Sequence, residues 1–307
     1  MTLGKKPARS DYFNPTGRTI QSTIKIEKFT NVHLAGLGSL DCSIPTTLEF
    51  VSEIRILTPR SVSLAGTFIN PVDTGDAAVL FSHSFLADRH SAEHFDRLAR
   101  LYRAAGYATL EFDYSGHGES GDEIITLDAE VEDLRAASGW LADQGFARQL
   151  IHAHSFGATV ALAARPVNVL AYVLSSPSLG PMSVDWTQIF SDDQLRDLEE
   201  IGATTIADDS PSIRRQFTIS KQTLIDLSLT DSDKLLAGLE QPTLVIHDSV
   251  DAEFGLLAAT QDVFHLLPDG SRVEIVSDAS FGMGEKVEAL DAPSLEWATR
   301  WVPVVRR

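Results

Sequence analysis

An alternation of apolar strands and amphipathic helices, beginning near residue 77, most limits the folds open to this chain. Residues 77–82 and 169–174 are continuous apolar runs, typical of strands buried on both faces. Further strands are predicted at 107–112, 150–153, 243–246 and 272–276, with helices over 92–105, 127–144, 156–163 and 286–301. This order predicts a mostly parallel sheet covered by helices on both faces, which binds its ligand at the carboxyl ends of the strands.

Two parts of the chain break this alternation. Residues 179–241 contain Ser191-Asp192-Asp193-Gln194, a capping-box start to a helix, and a second helical stretch is predicted near 219–229. We expect this insertion to form a helical lid over a core made of residues 51–178 and 242–307. Residues 1–50 mix short apolar stretches with Gly, Pro and Thr, and we expect an irregular extension that packs on the core.

Composition and charge exclude several classes of partner. The net charge is −18, which repels phosphate backbones and anionic membranes, so neither nucleic acid nor membrane binding is predicted. No apolar run approaches the roughly 18–20 residues of a membrane span, and no secretory signal is evident. A single cysteine fits the cytoplasm. No metal-binding or phosphate-loop pattern occurs, so no metal or cofactor is predicted; a small-molecule substrate is expected, and a homodimer is compatible with the sequence.

The chemistry centres on Ala153-His154-Ser155-Phe156-Gly157, which lies between a predicted strand and a predicted helix. Small residues around a serine at such a junction allow a sharp, strained turn. The turn lifts the hydroxyl above the sheet edge at a helix N-terminus, where negative charge is stabilised. Ser155 is therefore the predicted nucleophile.

Two further motifs precede the serine and also follow predicted strands. Ser82-His83-Ser84-Phe85 comes after the first buried strand, and Asp113-Tyr114-Ser115-Gly116-His117-Gly118-Glu119-Ser120 comes after the next one. With the serine turn, these three motifs at this spacing resemble the α/β-hydrolase superfamily over roughly residues 64–301. The resemblance implies an α/β-hydrolase fold with a mostly parallel eight-stranded sheet. It also implies an oxyanion hole made by the backbone N–H groups of Phe85 and Phe156.

The same resemblance assigns the acid of a catalytic triad but leaves its base unfilled. His247-Asp248-Ser249-Val250-Asp251 is similar to the family's His-Gly-x-x-Asp segment, so Asp251 matches the acid and Asp248 is the second choice. The family histidine should follow the strand at 272–276. Phe281 stands at that position, and none of the nine histidines lies beyond His265.

Three explanations for the missing base stay open at this level. The chain is a substituted variant of an ester or thioester hydrolase, or a non-hydrolytic cyclase, lyase or isomerase that uses the same pocket, or a non-catalytic ligand-binding protein. A rebuilt pocket could use an acid or base among His83, His154, Asp248 and Asp251. We expect substrate contacts from His83, His154, Asp248 and Met283, and an apolar acyl-type substrate beneath the lid.

Overall fold

The fold is seen in a computed structural model, which describes residues 49–71, 74–90, 93–181, 185–208, 213–248, 250–276 and 287–305. Most of the predicted N-terminal extension lies outside these ranges. Two predicted site residues, Phe281 and Met283, also lie outside the described residues.

A mostly parallel eight-stranded sheet forms the centre of the molecule and confirms the predicted fold class. The strands are β1 Glu49–Leu57, β2 Ser63–Pro71, β3 Ala77–Ser82, β4 Ala108–Phe112, β6 Arg148–His154, β7 Val169–Ser175, β10 Thr243–Asp248 and β11 Arg272–Val276. Their spatial order in the sheet is β1-β2-β4-β3-β6-β7-β10-β11. The β1–β2 and β2–β4 pairs are antiparallel, and the other five pairs are parallel.

Helices cover both faces of this sheet and bury two separate apolar clusters against it. On one face lie α2 (Leu127–Asp143) and α3 (Phe156–Ala164), which contribute Leu134 and Val160 to the larger cluster. On the other face lie α1 (Glu93–Ala104) and α8 (Asp291–Trp301), which contribute residues such as Phe95 and Trp297. All six residues of β3 are buried between the two faces, as its continuous apolar run predicts. The remaining helix of the core is α7, Leu256–Val263.

The insertion of residues 179–241, called the cap below, contains strands as well as helices. Its helices α4 (Asp192–Glu200) and α5 (Lys221–Ser228) are close to the predicted ones, and a short α6 spans Ser232–Leu236. Strands β8 (Ala203–Ala207) and β9 (Gln216–Ser220) pair with β5 (Ile124–Ile125) of the core in a second, three-stranded sheet. The helices were predicted but the strands were not, because short runs rich in Thr, Ile and Phe form strands only once a partner strand is present.

The last helix begins later than the sequence suggests. A 3-10 turn spans Val287–Leu290, and the α-helix follows at Asp291. Pro293 is the third residue of that helix. Proline is tolerated there because first-turn N–H groups have no acceptor within the helix, whereas a helix starting at 286 would place it in the interior.

Candidate active site

Ser155 occupies the strained turn that its sequence motif predicts. Its backbone has φ 52° and ψ −122°, a conformation that L-residues with a side chain rarely adopt. The turn directly follows β6 and caps the N-terminus of α3, and the Ser155 N–H donates to the Ser175 carbonyl at 3.0 Å. The side chain is half-buried, and no described residue is hydrogen-bonded to its hydroxyl. A hydroxyl held in this way is available to a ligand at the carboxyl edge of the sheet.

Gly157 allows the serine turn to pack directly against residues 82–89, called the oxyanion segment below. A Cβ at position 157 would lie 2.4 Å from the His83 carbonyl oxygen and 2.5 Å from that of Ser82. The Ser82 hydroxyl donates to the Gly157 carbonyl at 2.9 Å. The second small residue of the motif is therefore required by backbone contact, since any side chain would separate the two loops.

The two predicted oxyanion donors lie in these two packed loops. The Phe85 and Phe156 rings meet edge to face, with their centroids 6.1 Å apart. Within the described residues, neither backbone N–H donates to a backbone oxygen. The N–H of Phe156 is at the first position of α3, where no acceptor exists within the helix. Both groups are thus able to bind a developing oxyanion.

Asp251 is buried and is held by the residues that precede it. His247 lies with Nδ1 2.7 Å from the Asp251 Oδ2, and the Asp248 N–H reaches the same oxygen at 3.3 Å. The other ring nitrogen of His247 is 2.8 Å from the Thr260 hydroxyl. These contacts commit one carboxylate oxygen and fix the orientation of Asp251, the predicted acid. Its support by His247 was not predicted from the sequence.

Asp248 plays a local structural part in the same loop. Its Oδ1 accepts the N–H groups of Val250 and Asp251, each at 2.8 Å. Such side-chain bonds to the next two or three amides shape a turn. Asp251 stays the predicted acid.

His83 is buried and hydrogen-bonded to the backbone on both sides of its ring. Its Nε2 accepts the Tyr114 N–H at 3.2 Å, so Nδ1 carries the proton and donates to the Ser84 carbonyl at 2.8 Å. Burial lowers the pKa of His83, against the field of Asp113. A neutral imidazole with both nitrogens bonded to backbone holds a loop more readily than it exchanges protons with a substrate.

His154 lies beside the serine at the end of β6 and packs against the neighbouring strand β7. Its Nδ1 is 3.0 Å from the Ser175 hydroxyl and 3.1 Å from the Ser175 carbonyl. Burial lowers the pKa of His154, while the charge of Asp251 and the bond to Ser175 oppose the shift. Of the described histidines, this half-buried ring is next to the serine in sequence and feels the charge of the acid.

Strand β11 lies at the edge of the sheet, parallel to β10, and its last residue, Val276, pairs with Asp248. The predicted histidine position, Phe281, comes after this strand and lies outside the described residues, so its assignment stays a prediction.

Three of the five described non-glycine residues with a positive φ lie in loops at the carboxyl edge of the sheet. Besides Ser155, they are Leu86 (53°) in the oxyanion segment and Ser176 (45°) directly after β7, whereas Ser61 and Arg165 lie elsewhere. Residues in such conformations persist where the surrounding structure fixes them, and they cluster at functional sites. Three strained loops after adjacent or near-adjacent strands mark one site.

A family model supplies the relationship that this geometry suggests. The model described as "Alpha/beta hydrolase family" matches residues 79–270, which include Ser155, Asp251 and both predicted oxyanion donors. This chain belongs to the alpha/beta hydrolase family. It is accordingly an enzyme of the hydrolase type.

Solved structures show the same fold at low sequence identity. An esterase from Pyrococcus furiosus, Pf2001, is 18% identical with a TM-score of 0.62, covering 87% of this chain and 95% of its own. The esterase domain of a Rhodothermus marinus protein is 23% identical with a TM-score of 0.60, covering 82% and 99%. The α/β hydrolase GrgF from a Penicillium species is 15% identical with a TM-score of 0.63, covering 82% and 99%. A search of curated protein sequences found no match.

Two classes of site are not seen in the described part of the chain. None of its helices combines the length and apolar character needed to cross a bilayer. Its His, Cys, Asp and Glu side chains form no group of three that could hold a metal ion.

Proposed function

We propose that this enzyme acts on a small to medium, largely apolar acyl-type substrate, with Ser155 as nucleophile and Asp251 as acid. The observation that carries the proposal is the strained Ser155 turn packed through Gly157 onto the oxyanion segment. A carbonyl placed over this junction would lie between the hydroxyl and the N–H groups of Phe85 and Phe156. Negative charge that develops on the carbonyl oxygen would be stabilised there.

The apolar surroundings support an apolar substrate. Phe85 and Leu86 pack against a cluster built by the cap, and Trp186 and Phe190 stack at 5.7 Å in the same cluster. Other apolar cap side chains, such as Phe217, are buried in the core of the cap itself. Trp186 of the cap thus packs in the same cluster as Phe85 and Leu86 of the oxyanion segment.

Phe281 limits the rate that this site can reach. In a serine triad the histidine takes the hydroxyl proton and returns it to the leaving group, and phenylalanine does neither. Removal of the histidine costs about 10⁶ in kcat, or about 8 kcal/mol of barrier. A residual acceleration of about 10³ over water survives from the oxyanion hole and binding.

A second candidate is a non-hydrolytic reaction, such as a cyclisation, elimination or isomerisation, in the same pocket. It is favoured by the absence of any hydrogen bond between a described histidine and the Ser155 hydroxyl. The oxyanion donors would still polarise a carbonyl, and His154 and Asp251 would be the nearby groups able to move a proton.

Labelling by a fluorophosphonate and restoration of the base separate these candidates. We expect Phe281→His to raise ester hydrolysis by at least about 10³, and Ser155→Ala in that background to abolish it. The probe should modify Ser155 faster in Phe281→His than in the wild type, as peptide mass spectrometry would show. An inert Phe281→His variant that folds normally would contradict acyl transfer at Ser155 and favour the second candidate or simple ligand binding.

A further inference from the structure

The loop of residues 113–120 carries a motif that the proposed chemistry does not use, and it contacts the beginning of the oxyanion segment. The Tyr114 N–H donates to His83 Nε2 at 3.2 Å, and the Tyr114 hydroxyl is 2.6 Å from the Ser82 hydroxyl. Both contacts are buried. This end of the oxyanion segment is therefore fixed to the loop that follows the neighbouring strand β4.

The same loop holds the other end of the segment through a buried ion pair. The Arg89 N–H donates to Asp113 Oδ1 at 2.8 Å, and the Arg89 guanidinium contacts Asp113 Oδ2. A second guanidinium nitrogen lies 2.7 Å from Glu119 Oε2. Arg89 is 5% exposed and Asp113 is fully buried, so solvent screens their attraction weakly.

Gly118 explains why the motif needs a second glycine. A Cβ at this position would lie 2.3 Å from Asp113 Oδ2, and the backbone has a φ of +42°. Without a side chain here, the Glu119 N–H also donates to Asp113 Oδ2, at 2.8 Å. Three donors from two loops thus converge on one carboxylate.

We propose that Arg89 and Asp113 are positioning residues that hold the oxyanion segment so that the Phe85 N–H faces the carbonyl of the substrate. The proposal rests on the proposed oxyanion hole. The segment between the two fixed ends contains Leu86, whose backbone has a positive φ. A residue keeps such a conformation only where the surrounding structure holds it in place. An arginine suits this task because its planar fork reaches Asp113 and Glu119 together, whereas a lysine ammonium is a single point of charge.

A general contribution to stability does not account for this arrangement. Buried ion pairs are often no more stabilising than apolar residues of similar volume, because desolvation offsets the attraction. Their best-attested use is to specify one geometry. Arg89 itself belongs to the segment that carries a proposed oxyanion donor, and its backbone N–H is one of the three groups bound by Asp113.

The test compares Arg89→Lys with Arg97→Lys in the full chain. Arg97 on α1 makes a two-nitrogen contact with Asp291 on α8, at 2.6 and 2.9 Å, and touches neither Asp113 nor the oxyanion segment. Amide hydrogen exchange, read by mass spectrometry, reports the order of residues 82–89. Fluorophosphonate labelling of Ser155, in the wild-type and Phe281→His backgrounds, reports the oxyanion geometry.

We expect Arg89→Lys to speed exchange in residues 82–89 about tenfold, with little change over residues 149–164. We also expect it to slow labelling about tenfold, while Arg97→Lys changes neither by more than about twofold. Unchanged exchange in Arg89→Lys, or equal increases across both regions, would overturn the proposal. Unchanged labelling would do the same. If Ser155 is not labelled in either background, the proposed function fails, and the exchange data still decide whether Arg89 holds the segment.

Discussion

Replacement of Gly157 by alanine tests whether contact between the serine turn and the oxyanion segment is as tight as the geometry requires. The added Cβ would lie 2.4 and 2.5 Å from two backbone carbonyl oxygens and 2.8 Å from the Ser82 hydroxyl. Carbonyls cannot rotate away as a side-chain end can, so one loop must move. Overpacking of this kind costs about 1–3 kcal/mol. Alanine returns up to about 1 kcal/mol through helix propensity.

The net expectation for Gly157→Ala is a loss of about 2 kcal/mol in the free energy of unfolding, measured by urea denaturation. Gly139→Ala is the matched control, because Gly139 lies within α2 and a Cβ there meets no atom within 4 Å. It should gain about 0.5–1 kcal/mol. Labelling of Ser155 should fall in Gly157→Ala alone. Equal stability of the two variants, with labelling retained in both, would refute the inferred contact.

Three smaller tests address stability elsewhere. Burial raises the pKa of Glu111 to about 7 in the folded protein. The wild type should therefore lose about 3 kcal/mol of stability as the pH rises from about 4.5 to 8, because the unfolded chain releases this proton first. Thermal melts of Glu111→Gln should lack that loss. Ser191→Ala removes the hydroxyl that accepts the Gln194 N–H at the start of α4, and should cost about 1 kcal/mol in urea melts. Thr260→Val leaves a buried nitrogen of His247 without its partner and should cost about 1–3 kcal/mol; an unchanged urea midpoint would mean that the bond is replaced.

The centre of the sheet was predictable because β3 and β7 are continuous apolar runs. The bounds of β3 and β11 agree with the prediction, and those of β6 and β10 differ by about two residues. The three-stranded sheet that includes the cap strands was not predictable, since β5 of the core has two residues and is a strand only because it pairs with β9. Local sequence does not encode a partner that lies ninety residues away in the chain.

The candidate site divides in the same way. Ser155 and Asp251 follow from motifs because strained turns need small neighbours and acid loops have a recognisable spacing. The roles of Arg89 and His247 did not follow, since each acts through a contact with a residue that belongs to another motif or another turn. Their side chains carried no local signal. Phe281 and Met283 lie outside the described residues, so their assignments stay predictions.

The strand pairing between the cap and the core restricts how a substrate could enter. Besides the β5–β9 pairing, the Thr223 hydroxyl bonds the Ile125 carbonyl, and Asp226 accepts the Leu127 N–H at 2.8 Å. A swing of the whole cap away from the sheet would break all of these bonds at once. Admission of the proposed substrate beneath the cap would therefore call for local rearrangement of cap side chains, and the size of molecule admitted would depend on those side chains and not on a hinge.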